Sequence, residues 1–498
     1  MSYMGIDVGQ TGCRAIVFND AGVQIVHAYR EYATLIPREG WAELDSAEVR
    51  DSCFAVIREA NAACNDDPVR AMAISSQGEA FTPIGNNGEI LSNAMITFDK
   101  RAAGITKTWS SEFGIERLYR LTGHTAHPMF SLFKLLWLRE NRHDTFQKSV
   151  KFLCFEDFIQ HCLGLEPRIA LSLAGRTMMF NIKTHNWIDE ILDNVGIDQS
   201  RLACPVPSGT VVGALNPSTA RSLGFKAGVV MVTGGHDQPM GALGAGVTTG
   251  GMAMYATGTS ECITPAFDEP ILSEELFKSN ICTYDYTLQG MYTTVAFSLT
   301  GGNILKWFRD ELGKPELIES KKTGENAYEI ILRKMPENPS SVLVLPYFTP
   351  TGTPYFDSDA SGVILGLHLS TSREEILRGL LEGVAFEMRL NLDILSKSGI
   401  GIDELRAIGG GAKSARWTQL KADVLNKPIT TVQVTEAVGF ACAMFACSAV
   451  TGEPVESIVK RWVKTKGIAN PNPEHAEVYS RRFETYRQLY PRLRNIRI

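Results

Sequence analysis

Met4-Gly5-Ile6-Asp7-Val8-Gly9-Gln10-Thr11-Gly12-Cys13-Arg14-Ala15-Ile16-Val17-Phe18 reads as a strand, a tight turn and a second strand. Asn19-Asp20-Ala21-Gly22 turns the chain again, and Val23 to Ala28 supplies a third strand. A meander that opens on Asp-x-Gly is unlike a dinucleotide-binding unit, which would enter a helix after its glycines. A Gly/Thr hairpin suits phosphate, because backbone N–H groups and a hydroxyl converge on the anion. Asp7 reads equally well as a turn residue.

The pattern returns past mid-chain. Gly251 to Thr257 is a strand, Gly258-Thr259-Ser260-Glu261 a tight turn, and another strand follows. Two such hairpins suggest a duplicated α/β domain, with a boundary near 241–250 that gives halves of 1–245 and 246–498. Just before that boundary, Val229 to Val232 is an apolar strand leading into Gly234-Gly235-His236-Asp237-Gln238-Pro239-Met240-Gly241-Ala242-Leu243-Gly244. Asp237 therefore stands at the C-terminal end of a strand, where α/β sheets face their ligand crevice. It is a candidate general base, and the competing reading is a helix N-cap, a common use of Asp after a strand.

Composition bounds the rest. The 498 residues carry a net charge of −6 with no basic block, so a nucleic-acid partner is not expected. The ten cysteines are scattered, as reduced thiols in a cytoplasmic protein would be. Ala437 to Val450 is the most apolar stretch, and it is too short and too rich in small residues to span a bilayer; it reads as a buried helix. A homodimer is compatible with all of this.

Several further strand ends carry polar groups. Val69 to Ser75 ends in Ser76-Gln77-Gly78-Glu79, and Met95 to Phe98 ends in Asp99. Both carboxylates are candidate ligand contacts, against an ordinary loop for Glu79 and a surface ion pair for Asp99. His124 and His127 form an i,i+3 pair without a third ligand and read as structural, not metal-binding. Gly301-Gly302-Asn303 starts a helix containing Trp307. Leu405 to Ile408 runs into Gly409-Gly410-Gly411, a bare backbone against which a nucleotide could lie. Leu343-Val344-Leu345-Pro346 starts an irregular loop rich in Thr, Pro and Asp that runs to Gly362, of the kind that is usually functional.

Longer patterns carry a family resemblance. Met129 to Asn141, Gly362 to Glu382, Leu345-Pro346-Tyr347 through Thr353-Pro354, and Gly409 to Leu425 together resemble the FGGY carbohydrate kinases. Of the two signature stretches, the second departs from the family only at Gly379. The resemblance runs from Tyr3 to about Gly452. It implies two ribonuclease H-like (actin-like ATPase) domains with a cleft between them, and ATP and Mg²⁺ as cofactors. It further implies that Asp7 holds Mg²⁺ through water and that Asp237 is the catalytic base. ATP would be contacted at Gly9, Gln10, Thr11, Arg14, Gly258, Thr259, Gly302, Gly410, Gly411 and Ala415. Gln10 replaces the usual Thr, and Ala415 replaces a polar residue of glycerol kinases. The sugar would be contacted at Gln77, Gly78, Glu79, Asp99, Asp237 and Gln238. Gln-Gly followed by an acid looks closer to xylulose and erythritol kinases than to the Gln-Arg-Glu of glycerol kinases. A ketopentose such as xylulose is thus the expected acceptor, and a short polyol the alternative. An actin-like ATPase scaffold and a non-catalytic sugar sensor are the readings from other classes.

Overall fold

The computed structural model describes residues 1–64, 67–226 and 228–496. The opening meander is one side of a six-stranded sheet. β1 (Ser2–Val8), β2 (Gly12–Asn19) and β3 (Gln24–Glu31) pair antiparallel, and β4 (Val69–Ser76) lies parallel to β1. With β5 (Val211–Ala214) and β6 (Val230–His236) the order is β5-β6-β4-β1-β2-β3.

Strand periodicity decides which residues meet. Met4, Ile6 and Val8 share one face with Met72, Ile74 and Met231, and belong to one core with α1 (Ser46–Ala62) and α2 (Phe155–Cys162). Tyr3, Ile16, Phe18, Ala71, Ala73 and Val232 share the opposite face and a different core. Both faces are apolar, so both must be covered. Asp45 caps α1, its carboxylate accepting from the Ala47 N–H at 2.8 Å, so the helix begins at Ser46.

After α3 (Asp237–Gly244), β7 (Gly251–Thr257) and β8 (Glu261–Phe267) repeat the opening hairpin. β9 (Tyr284–Asp285), β10 (Tyr292–Thr293), β11 (Ala296–Ser298), β12 (Ile402–Ile408), β13 (Ile429–Val432) and β14 (Thr465–Ala469) extend it into an eight-stranded sheet. β12 lies parallel to β7 as β4 does to β1. α4 (Gly302–Glu311), α5 (Arg373–Lys397) and α6 (Ala415–Leu425) share a core with Tyr255, Ile263 and Leu405 of this sheet.

The third core joins the two sheets. It contains α3 and α7 (Ala437–Thr451), with Tyr3, Phe18 and Val232 from one sheet and Met254 and Val432 from the other. α7 lies in the second half of the chain, yet it packs on β1, β4 and β6 of the first sheet. Small residues make this possible. A Cβ on Gly5 would fall 1.8 Å from the Gly439 carbonyl oxygen, and one on Gly244 would fall 2.0 Å from that of Ala437. The apolar stretch is thus a buried helix, as expected. α8 (Pro473–Leu493) closes the chain against α6. Among the described residues no helix is long and apolar enough to cross a membrane.

Two expectations need adjustment. The strand expected over Met95 to Phe98 is only Ala94–Met95, paired with Glu43–Leu44, and Thr97 and Phe98 already belong to the following turn. The triple glycine, expected to pass from strand into helix, does not open a helix directly. Gly409 has φ +88°, a short 3₁₀ turn spans Gly411–Lys413, and α6 starts at Ala415 with Ser414 as its cap.

Candidate functional site

Strand ends of the first sheet converge on a cavity of about 350 Å³. Gln10, Gln77, Gly78, Glu79, Asp237 and Gln238 line it, joined from the second half by Ser260, Cys262, Asn280 and Phe356. These include five of the six residues expected at the sugar and one of those expected at the nucleotide.

Asp237 is the first residue of α3; His236 occupies the cap position and makes no side-chain cap bond. The carboxylate is therefore not consumed in the way the N-cap alternative requires. Burial, reinforced by the negative charges of Asp7 and Glu79, pushes it up to about 7. That value suits a base at neutral pH. The strand feeding it is pinned by Glu156, whose carboxyl accepts from Gly234 N–H at 2.8 Å and Ala170 N–H at 2.9 Å. Gly235 has φ +142°, and a Cβ there would sit 2.6 Å from Ser172 Oγ, so only glycine fits. The His236 ring contacts Asp237 Oδ1 at 3.2 Å and shares a hydrogen bond with the Tyr284 hydroxyl at 3.0 Å. Burial and the Arg176 charge keep that imidazole neutral.

Asp7 sits near the end of β1, beside the turn. Its Oδ1 is buried without a hydrogen-bond partner, and Arg14 Nη1 lies 3.8 Å from Oδ2. Burial pushes the carboxyl up to about 6 against the pull of Arg14. Arg14 also reaches Glu436 at 2.5 Å, a bond between the opening hairpin and the segment leading into α7. Among the described residues no group of three or more His, Cys, Asp or Glu could cage a metal. A cation at Asp7 would complete its shell with water and phosphate oxygens, which the single unpartnered oxygen fits.

A second cavity, of about 960 Å³, opens at the end of β12. Gly410 and Ala415 line it, and nothing would stand within 4 Å of a Cβ on Gly410. The strand ends Thr431 to Thr435 and Lys466 to Ala469 complete the lining; the sequence reading did not single them out. Gly302 and Gly411 do not line it. A Cβ on Gly302 would fall 2.6 Å from the Gly258 oxygen, and one on Gly411 would fall 2.2 Å from Thr257 Cγ2. Their glycine character has a packing cause, and both abut the second turn. That turn is held by α4, whose Gly302 and Asn303 N–H groups donate to the Gly258 and Thr259 carbonyls at 2.8 and 3.2 Å. Gly258 and Thr259 are exposed, as is Thr11, while Gly9 is half-buried and accepts from Gln77 Nε2 at 3.3 Å.

Asp99 is the residue the structure does not bring to the cavity. Its oxygens accept from Ala42 N–H at 2.7 Å, from Arg101 N–H at 3.0 Å, and from Arg101 Nε and Nη2 at 2.6–2.9 Å. This is a buried ion pair stacked on Trp41, not the surface pair weighed against a sugar contact. His127 does line the cavity, and burial lowers it to about 4; His124 is wholly buried. Arg176, His236 and Asn280 are cavity residues that sequence reasoning missed. His236 directly precedes Asp237 in the sequence, and nothing local marks a buried arginine.

Residues 2–244 match the N-terminal domain of the FGGY family of carbohydrate kinases, and residues 253–450 match its C-terminal domain. The chain belongs to that family. Xylulose kinase of Bacillus subtilis (strain 168) is 24% identical over 504 residues, covering 100% of this chain and 98% of its own. Glycerol kinase of Oceanobacillus iheyensis is 28% identical over 496 residues, covering 96% and 95%. A ligand-bound xylulose kinase structure from Lactobacillus acidophilus superposes with a TM-score of 0.90 at 22% identity, covering 99% of each chain. The architecture is the two-domain FGGY kinase fold of the actin-like ATPase class, and this FGGY protein is a sugar kinase.

Proposed function

We propose that this FGGY kinase transfers the γ-phosphate of ATP to a hydroxyl of a ketopentose of the xylulose type, with Asp237 as general base. The observation that carries the reading is the Asp237 carboxyl at the cavity wall, free of capping duty and raised to about 7. An alcohol is a poor nucleophile, so a carboxylate must take its proton as oxygen attacks phosphorus. The O–P bond forms, the bond to the ADP leaving group breaks, and the proton passes to Asp237. Asp7 would hold Mg²⁺ through water, and the ion would neutralise charge on the phosphoryl oxygens. Gly9, Thr11, Gly258 and Thr259 offer turn backbone and hydroxyls to the phosphates, and Gly410 and Ala415 border the nucleoside cavity.

Acceptor residues come chiefly from 1–245 and nucleoside residues from 246–498. Closure of one half on the other would unite them and exclude water, which competes with the sugar. The relatives named as xylulose kinases support the ketose; the glycerol kinase relative supports a short polyol as second reading. ADP release measured across pentuloses, hexuloses, sugar acids and polyols tests the proposal. The highest kcat/KM is expected on a pentulose, and turnover that is independent of any sugar would overturn it.

A further inference from the structure

Glu79 looks in the sequence like the carboxylate that grips the sugar. The structure gives it a different task. Arg176 Nε donates to Glu79 Oε1 at 2.6 Å, Arg176 Nη2 forms an ion pair with the same oxygen, and Thr97 Oγ1 donates to Oε2 at 3.0 Å. Glu79 adopts φ +66°, a conformation non-glycine residues rarely hold unless their surroundings enforce it. Ser131 Oγ and Lys134 Nζ enforce it by donating to the Glu79 carbonyl at 2.9 and 3.2 Å. The result is a rigid cradle for one guanidinium.

Arg176 is buried, lines the cavity, and stacks over the rings of Phe130 and Tyr284 at 5.0 and 5.5 Å. Its Nη1 has one weak partner, Cys282 Sγ at 3.8 Å. Gly78 leaves it room: a Cβ there would sit 3.3 Å from Arg176 Cβ. An orientation fixed on Nε and Nη2, with Nη1 turned to sulfur and ring faces, is that of a donor awaiting an oxygen.

Resting on the sugar-kinase reading above, we propose that Arg176 recognises the acceptor, and that it selects a carbonyl oxygen over a hydroxyl. Guanidinium donates only. A hydroxyl placed on Nη1 must find an acceptor for its own proton, and the contacts made by the guanidinium on that side are the Cys282 thiol and the Phe130 and Tyr284 rings, with acceptors such as Asp237 and Asn280 elsewhere on the cavity wall. A carbonyl has no proton to place. A buried hydrogen-bonding group left unpaired is what makes such discrimination strong.

The test compares a ketopentose with the pentitol that carries a hydroxyl in place of its carbonyl, and with the corresponding aldonate. Wild-type enzyme is expected to favour the ketopentose by kcat/KM. Arg176→Lys keeps the charge and loses the fork. It is expected to lower kcat/KM on the ketose roughly 10–100-fold, the scale of a hydrogen bond to a charged group, and on the pentitol by less than about threefold. The double variant Arg176→Met/Glu79→Gln, which leaves no buried charge unpaired, should show the same collapse of the ratio beside a thermal melt that reports folding. Equal losses on both substrates in a folded variant would make Arg176 a structural partner of Glu79 and overturn the proposal. Preference of the wild type for the aldonate would overturn the carbonyl assignment, since Arg176 would then read a carboxylate. Failure of wild type on all three would overturn both the ketopentose acceptor and this carbonyl selection, and an active Asp237→Asn variant would instead break the general-base reading on which the proposal rests.

Discussion

The two sheets end their hairpins in the same backbone device and differ in how their carboxylates are partnered. In the first, β1 brings Asp7 to the turn with one oxygen unpartnered, and β4 and β6 bring Glu79 and Asp237 to the same side. In the second, the carboxylate after the turn is withdrawn. Glu261 is wholly buried, bonded to Tyr255 through its hydroxyl and to Lys421 Nζ at 2.6 Å. Lys421 also donates to Thr257 Oγ1 at 2.5 Å and lies between the Tyr255 and Trp417 rings. A duplicated fold has thus been divided. One copy places Asp7 at its turn and Asp237 at the cavity wall, with Glu79 held by Arg176. The other neutralises its acid and presents backbone and hydroxyls, which suit phosphate.

Breaking the acidic side should cost most. Asp237→Asn removes proton acceptance while keeping shape, and kcat is expected to fall about 10²–10⁴-fold with a modest change in KM. The base must be ionised, so wild-type kcat should fall as pH drops below about 7, the value to which burial raises Asp237. Stability should run the other way. A carboxyl raised from 3.8 binds its proton more tightly in the folded state, so its favourable contribution is complete below pH 3.8 and is lost as pH rises through about 7. Asp237→Asn should therefore melt above wild type at pH 8. Steady-state kinetics and melts at pH 5 and pH 8 check both signs; an active, unchanged Asn variant would return Asp237 to a structural role.

Asp7→Asn should lower kcat roughly 10²–10³-fold, the scale of one lost transition-state contact, without lowering the melting temperature. Measured in the same assay, it asks whether the first turn differs from the second in chemistry and not only in charge. On the neutral side, Lys421→Met leaves Glu261 buried and unpaired. A destabilisation of about 3–5 kcal/mol in urea unfolding is expected, against much less for Lys421→Met/Glu261→Gln. Thr259→Ala should be the mildest change, raising KM for ATP by roughly 3–10-fold, the worth of one hydrogen bond, with KM for the sugar unchanged. Sugar KM moving instead would dissolve the division of labour.

Much of this was legible because strands announce themselves locally. Met4, Ile6 and Val8 alternate against Tyr3 and Gly5, and a Gly/Thr turn follows, so the meander and its repeat could be read directly. The placement of Asp7 and Asp237 at strand ends was legible because the apolar runs before them are local. Pairing across long separations was not. Glu79 finds Arg176 at a separation of 97 residues, and Arg14 finds Glu436 at 422. A residue type shows that a charge exists, not which partner occupies it. Asp99 misled for the same reason: its position at an apolar run's end was visible, but the fold of Arg101 back onto it was not. Gly411 was read for its bare backbone, whereas the Thr257 methyl pressed against it is a tertiary fact.

The reach of α7 across the molecule bears on synthesis. A ribosome that has released residues 1–245 has made all six strands of the first sheet, but Tyr3, Ile16, Phe18, Ala71 and Ala73 still lack α7, which packs on their face. That cover, Ala437–Thr451, is made only after residues 246–436. Until then α3 is the only helix of the first half in the core on that face, and apolar surface stays open to water. A gene split at the boundary between the halves would yield an amino-terminal product that stays adhesive until its other fragment arrives.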